Sequence, residues 1–183
     1  PDRALTYSAD DIDKIKELAS APKVKAIGEI GLDFHYGKDS KSEQIELFRK
    51  QVRIANELMM PIMIHTREAD ALTMDILIEE GAFSDARKEY FPERPDEQGN
   101  MVPDARVQLH CYSGSLELAR EYVKLGATFS IGGPLTFKNA RKTVEVLEGI
   151  PLQFIMSETD APFLAPEPKR GRPNKTPYVE HVV

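Results

Sequence analysis

Acids and histidines stand at the ends of four apolar runs: Glu29 with Asp33, His65 with Arg67, His110 with Ser113, and Glu158 with Asp160. Each follows a stretch that belongs in or beside a core, where a charge or an imidazole needs a partner. Taken singly, each has a plain structural reading, the histidines as hydrogen-bonded packing residues and the acids as helix caps or lysine partners. Their recurrence at the same strand position favours a shared role in holding a divalent metal. Imidazole and carboxylate both serve zinc and manganese, and carboxylate serves magnesium. A metal-bound water supplies hydroxide near neutral pH, and the same cation stabilises a leaving oxygen. In such a site Asp160 is placed to hold or deprotonate the water. Glu158, two residues earlier and on the same side of a strand, is placed to orient a ligand.

These residues need elements to position them, and the hydrophobic periodicity supplies a candidate set. Ser8 to Asp11 (SADD) reads as a capping box with a shortened acid, and Ile12, Ile15, Leu18 and Ala19 recur at helical spacing until Pro22. Val24 to Asp33 reads as a buried strand and its exit loop. Ile45, Phe48, Val52, Ala55 and Leu58 share one helix face. Ile62 to His65 is a strand, and Glu68 to Glu80 a helix stopped by Gly81. Residues 82–105, with three prolines and no sustained period, read as a long surface insertion that tolerates change. The rhythm resumes with a strand over 106–112, a helix over 115–125 closed by Gly126, and a strand over 127–133. A helix over 139–147 with Ala140, Val144 and Leu147 inward precedes a fifth strand over 153–160. A Pro-rich basic loop, 161–177, leads to a final helical turn from Tyr178.

Alternating strands and helices argue for parallel strands covered by helices. Two architectures remain on this ground, an open doubly wound sheet and a (β/α)8 barrel, and both gather functional groups at the carboxyl ends of their strands. The cations reachable there are Arg67, whose guanidinium fork suits a phosphate, and Arg170 and Arg172 in Lys169–Lys175 (KRGRPNK). Ser113 is a weaker contact candidate. His35, on the loop after the first strand, could line a substrate groove, but Phe34, His35 and Tyr36 read rather as packing residues.

Composition sets the limits. The 183 residues carry 24 Lys+Arg against 30 Asp+Glu, a net charge of −6, with one cysteine and no tryptophan. The acidic balance argues against a sequence-independent DNA coat, though not against a nuclease with a local basic patch. No run approaches the roughly 18 apolar residues of a membrane span, and the start has no leader-like apolar stretch. Cys111 has no disulfide partner within the chain, so the expectation is a reducing, cytoplasmic setting. Alternation points its thiol away from His110, which excludes a Cys–His pair. The oligomeric state is left open.

Gly28-Glu29-Ile30-Gly31-Leu32-Asp33, Ile64-His65-Thr66-Arg67, His110-Cys111-Tyr112-Ser113-Gly114, Ser130-Ile131-Gly132-Gly133 and Glu158-Thr159-Asp160-Ala161-Pro162 together resemble the TatD-type metal-dependent deoxyribonucleases. The match runs in order from Val24 to Val183. The resemblance implies a TIM barrel of the amidohydrolase type and DNA as substrate, with 3′–5′ exonuclease-like hydrolysis of phosphodiester bonds. It implies two divalent ions, Mg2+, Mn2+ or Zn2+, bridged by Glu29, with His65 and His110 on one and Asp160 on the other. Glu29 and Asp160 are then the residues closest to the chemistry. Glu29 lies 131 positions before Asp160. That is about 33 per βα step, near the spacing of roughly 250 residues in eight units. The expectation is therefore a single barrel domain of which this chain covers about five of eight units, with an upstream His-x-His pair completing the first ion. Two other readings stay open: a related metal barrel acting on an ester, lactone or amide, since fold does not fix function, and a non-catalytic partial form.

Overall fold

The computed structural model describes residues 1–183. In chain order the elements are α1 (Ala9–Ala19), β1 (Ile27–Asp33), α2 (Lys41–Glu57), β2 (Ile62–Arg67), α3 (Asp70–Glu79), α4 (Asp85–Tyr90), β3 (Arg94–Pro95), β4 (Met101–Val102), β5 (Val107–Leu109), α5 (Leu116–Leu125), β6 (Ala127–Ile131), α6 (Arg141–Gly149) and β7 (Ile155–Ser157). The chain packs as two compact units, Pro1–Glu93 with Pro103–Gln108, and Arg94–Val102 with Leu109–Val183. It crosses from the first to the second inside β5.

In unit one the strand order is β1-β2-β5. Strands β1 and β2 run parallel, pairing Ile30 with Ile64, Gly31 with His65 and Asp33 with Arg67. Ile30, Leu32, Ile62 and Ile64 are buried together with Phe48 and Val52 of α2 and Ile76 and Leu77 of α3. The capping box at Ser8 forms as read, with Asp11 Oδ2 accepting from the Ser8 amide at 2.9 Å. No residue of α1 is buried, and Leu18 is exposed, so its apolar stripe does not enter a core. The stripe of α2 is broader than Ile45–Leu58 spacing suggests, for Gln44, Leu47 and Ile54 are buried and Ile45 only half-buried.

Residues 82–105 are more than the surface loop expected. They contain α4 and the β3–β4 hairpin, and they bury Ala82, Phe83, Arg87, Phe91, Asp104 and Ala105. Arg87 is 1% exposed and donates to the carbonyls of Ala55, Met60 and Ala105 and to Asn56 Oδ1, at 3.0–3.3 Å. A charged residue running into Lys88 and Glu89 carries no hydrophobic signal, which is why this anchor is invisible as a pattern. Burial pulls the guanidinium down to a pKa of about 10, with Asp104 opposing, so it stays protonated at neutral pH.

In unit two the order is β5-β6-β7, with β6 and β7 parallel and Phe129 opposite Ile155. All five residues of β6 are buried. Phe129 lies with its centroid 4.8 Å from that of Tyr112 and 6.4 Å from that of Tyr122. Helix α5 is capped by the Ser115 hydroxyl and closed by Gly126 at φ 90°, a left-handed position that suits glycine. Several boundaries differ from expectation. Strand β5 ends at Leu109 and β7 at Ser157, so His110, Glu158 and Asp160 all lie just beyond strands rather than in them. In α6 Val146 is buried, Ala140 and Leu147 are half-buried and Val144 is exposed, so the inward face is shifted from the expected Ala140, Val144 and Leu147. The final segment, Thr176–His181, is a 3-10 turn.

Candidate functional site

In unit one, three side chains gather at β1 and β2. The register between the strands slips between Ile27 and Ile30, leaving an extra residue on β1. Glu29 sits in that bulge, and its side chain is 41% exposed although its neighbours Ile27 and Ile30 are buried. Bulges commonly re-aim a side chain in this way. His65 follows Ile64 on β2 and points to the opposite face from Ile62 and Ile64. The strands can approach here because Gly31 has no side chain: at φ 137° a Cβ would stand 2.0 Å from the His65 carbonyl oxygen.

The His65 ring is held from one side. Its Nε2 lies 3.1 Å from Asp33 Oδ2, while Nδ1 lies 3.8 Å from Glu29 Oε2. A carboxylate only accepts, so Nε2 is the nitrogen that can donate to Asp33, and Nδ1 is the one that faces Glu29. Asp33 is itself fixed, its Oδ1 accepting from the amides of His35 at 3.0 Å and Tyr36 at 2.8 Å. Burial raises the Asp33 carboxyl more than any one partner lowers it. The Tyr36 and His35 amides and the His65 imidazole together still hold it below its ordinary value of 3.8. Behind it, buried Gln44 accepts from the Asp33 amide at 2.8 Å and donates to the Asp33 and Gly37 carbonyls, each at 3.0 Å. Asp33 was read only as a strand-end companion of Glu29, and Gln44 not at all. The signal for Gln44 is its place on the apolar stripe, four residues before Phe48.

In unit two, His110 stands one residue past β5, and Cys111 takes a left-handed backbone, φ 44°. The strand has ended, so the alternation argument that turned the Cys111 thiol away does not apply. What the turn presents is the Cys111 amide, which donates to Glu158 Oε1 at 2.6 Å and to Ser130 Oγ at 3.2 Å. The other oxygen of Glu158 lies 2.6 Å from His110 Nδ1. Glu158 thus lies against His110 from a loop beyond β7, and not, as expected, by sharing a strand face with Asp160. The opposite ring nitrogen, Nε2, lies 3.4 Å from Asp160 Oδ1. His110 is 8% exposed at its side chain and Asp160 24%.

Both units thus repeat one arrangement: a histidine with one nitrogen against a carboxylate and the other facing a second carboxylate. That is how proteins prepare an imidazole to ligate a metal, with the distal carboxylate fixing the tautomer and ring orientation. The donor set, imidazole nitrogens with carboxylate oxygens, fits zinc or manganese, and its carboxylates suit magnesium. The side chains that could hold a metal are His65 and Glu29 in the first unit and His110 and Asp160 in the second.

The cations are placed less uniformly. Arg67 is exposed and lies over the Tyr36 ring, 4.7 Å from its centroid. Neither nearby acid takes it in an ion pair, since Glu68 contacts His35 Nδ1 at 2.6 Å and Asp70 accepts from the Thr66 hydroxyl at 3.3 Å. Arg170 lies 4.2 Å from the Phe137 centroid and 3.9 Å from Glu167, so it is already partly engaged. Arg172 and Ser113 are exposed.

A sequence model described as TatD related DNase matches residues 1–183. The chain belongs to the TatD family. Among its TatD-like relatives, YabD of Bacillus subtilis, named an uncharacterized metal-dependent hydrolase, is 42% identical over 182 residues, covering 100% of this chain and 64% of its own length. YcfH of Escherichia coli K12, with the same description, is 34% identical over 172 residues, 94% of this chain and 57% of its own. The chain spans about six-tenths of the length of these relatives. The crystal structure of YJJV, a TatD homologue from E. coli K12, superposes with a TM-score of 0.77 at 26% identity, covering 95% of this chain and 60% of that one. TatD neighbours are TIM barrels, and this TatD-family chain has their α/β fold.

Proposed function

We propose that the protein is a metal-dependent deoxyribonuclease that hydrolyses DNA phosphodiester bonds in 3′–5′ exonuclease-like fashion. The observation that carries the reading is the doubled histidine arrangement: His65 between Asp33 and Glu29, His110 between Glu158 and Asp160. Glu29, His65, His110 and Asp160 are the ligands of two divalent ions, Mg2+, Mn2+ or Zn2+. Bound metal supplies a nucleophilic hydroxide near neutral pH and offsets phosphate charge. Asp160 accepts the proton of the attacking water, and Glu29 places its carboxylate beside His65. Asp33 and Glu158 keep the two rings in register, and Arg67, Arg170 and Arg172 attract the phosphodiester. Family membership supports DNA as the substrate. No helix is long and apolar enough to cross a membrane, and the lone Cys111 suits a cytoplasmic setting.

The test is a 5′-labelled oligonucleotide with the purified protein and MgCl2 or MnCl2. Stepwise shortening from the 3′ end, stopped by EDTA and restored by excess metal, is expected. Intact DNA alongside turnover of a lactone, ester or amide would sink the reading. The orienting acids give a separate expectation. Asp33→Asn and Glu158→Gln each weaken Mn2+ binding by about 10–100-fold, measured by titration calorimetry. Unchanged affinity in both would remove their role.

A further inference from the structure

Tyr36 sits badly as the packing residue it was taken for. It is 79% exposed, the second most exposed large hydrophobic in the chain after the terminal valine. Yet it is not loose. Its amide is tied to Asp33 Oδ1 at 2.8 Å, the His35 ring meets it edge-on at 4.8 Å, and Arg67 lies over it at 4.7 Å. His35 is in turn pinned by Glu68 at 2.6 Å. An aromatic residue held open to water by three partners costs free energy unless something covers it.

Its address says what would cover it. Tyr36, Asp33, Glu29 and His65 line a single cavity of unit one, about 440 Å³, with Leu5 and Gln44 among the other walls. That volume falls in the range of small-molecule sites. The cavity therefore joins the proposed ligands Glu29 and His65 to an exposed aromatic face with a cation on it. Single-stranded nucleic acids are held by this pairing, a base on an aromatic ring and a guanidinium for the adjacent phosphate. We propose that Tyr36 is a stacking platform for a nucleobase and that Arg67 holds the platform and meets the neighbouring phosphate. The proposal rests on the nuclease reading and specifies it: the substrate presents to unit one a nucleotide with an open base face, since a base stacked on both sides within a duplex has none to offer.

The chain has no tryptophan, so Tyr36→Trp introduces a single fluorescent reporter at an exposed position. Octathymidylate in EDTA is the ligand, and an abasic octamer of the same length is the control that keeps the phosphates and removes the bases. Quenching of the tryptophan by octathymidylate and not by the abasic octamer is expected. Tyr36→Ala raises the Kd for octathymidylate about tenfold, while Tyr36→Phe stays within about twofold of the parent. An unquenched tryptophan, or equal affinities for the two octamers, in a protein that still degrades DNA overturns the platform and leaves the nuclease standing. Failure to bind either octamer and to cleave DNA overturns both.

Discussion

Asp160→Asn lowers kcat/KM for an oligonucleotide by about a thousandfold or more while the fold stays intact. Asparagine is the right replacement because Asp160 has φ 54°, a left-handed conformation that asparagine tolerates and alanine does not. The backbone bond from the Phe163 amide to the Asp160 carbonyl, 2.8 Å, is untouched. What is lost is the carboxylate 3.4 Å from His110 Nε2 and with it, on the proposed reading, both a metal ligand and the acceptor for the water proton. With the ion held at saturation, the missing proton acceptor is felt only as charge develops, so the loss falls on kcat with little change in KM. Single-turnover rates at saturating Mn2+, with far-UV circular dichroism as the control, check it. A variant within tenfold of the parent would take Asp160 out of the chemistry.

Arg87→Ala is the largest expected loss of stability, about 3–5 kcal/mol. The cost has three sources. The carbonyls of Ala55, Met60 and Ala105 lose their donor in a place water does not reach, Asn56 loses a partner, and the missing guanidinium leaves a void beside Phe91, 5.1 Å from its Cζ. Arg87→Met refills much of the volume and restores none of the hydrogen bonds, so the difference between the two variants separates packing from polar satisfaction. Urea unfolding followed by circular dichroism gives the values. If Arg87→Ala costs less than about 1 kcal/mol, the carbonyls have found other donors.

How much of this was readable from the chain depends on the kind of signal. Glu29, His65, His110 and Asp160 could be singled out because each is a polar residue within or just after an apolar run, a contrast that hydrophobic patterning makes visible. The partners that prepare them could not, because pairing register is a property of two strands. Asp33 reaches the His65 ring because Gly31 lies opposite His65. Glu158 reaches His110 because both strands stop early and their exits turn toward each other's backbone. Strand ends are set by where the next turn can form, which is why the strands expected over 106–112 and 153–160 shrank to Val107–Leu109 and Ile155–Ser157. Arg87 shows the opposite failure. A buried cation carries no hydrophobic signal, and its four acceptors come from residues up to 32 positions away.

The amide of Gln44 ties the first turns of α2 to both polar groups of the Asp33 backbone. Neither can open without breaking the other's hydrogen bonds, so they fray or hold as one cooperative unit. The mobility of the acid that steadies His65 is thus governed from a helix eleven residues further along the chain. Sequence drift on that helix face can retune the metal-binding end of β1 without altering any residue that a metal or a substrate would touch.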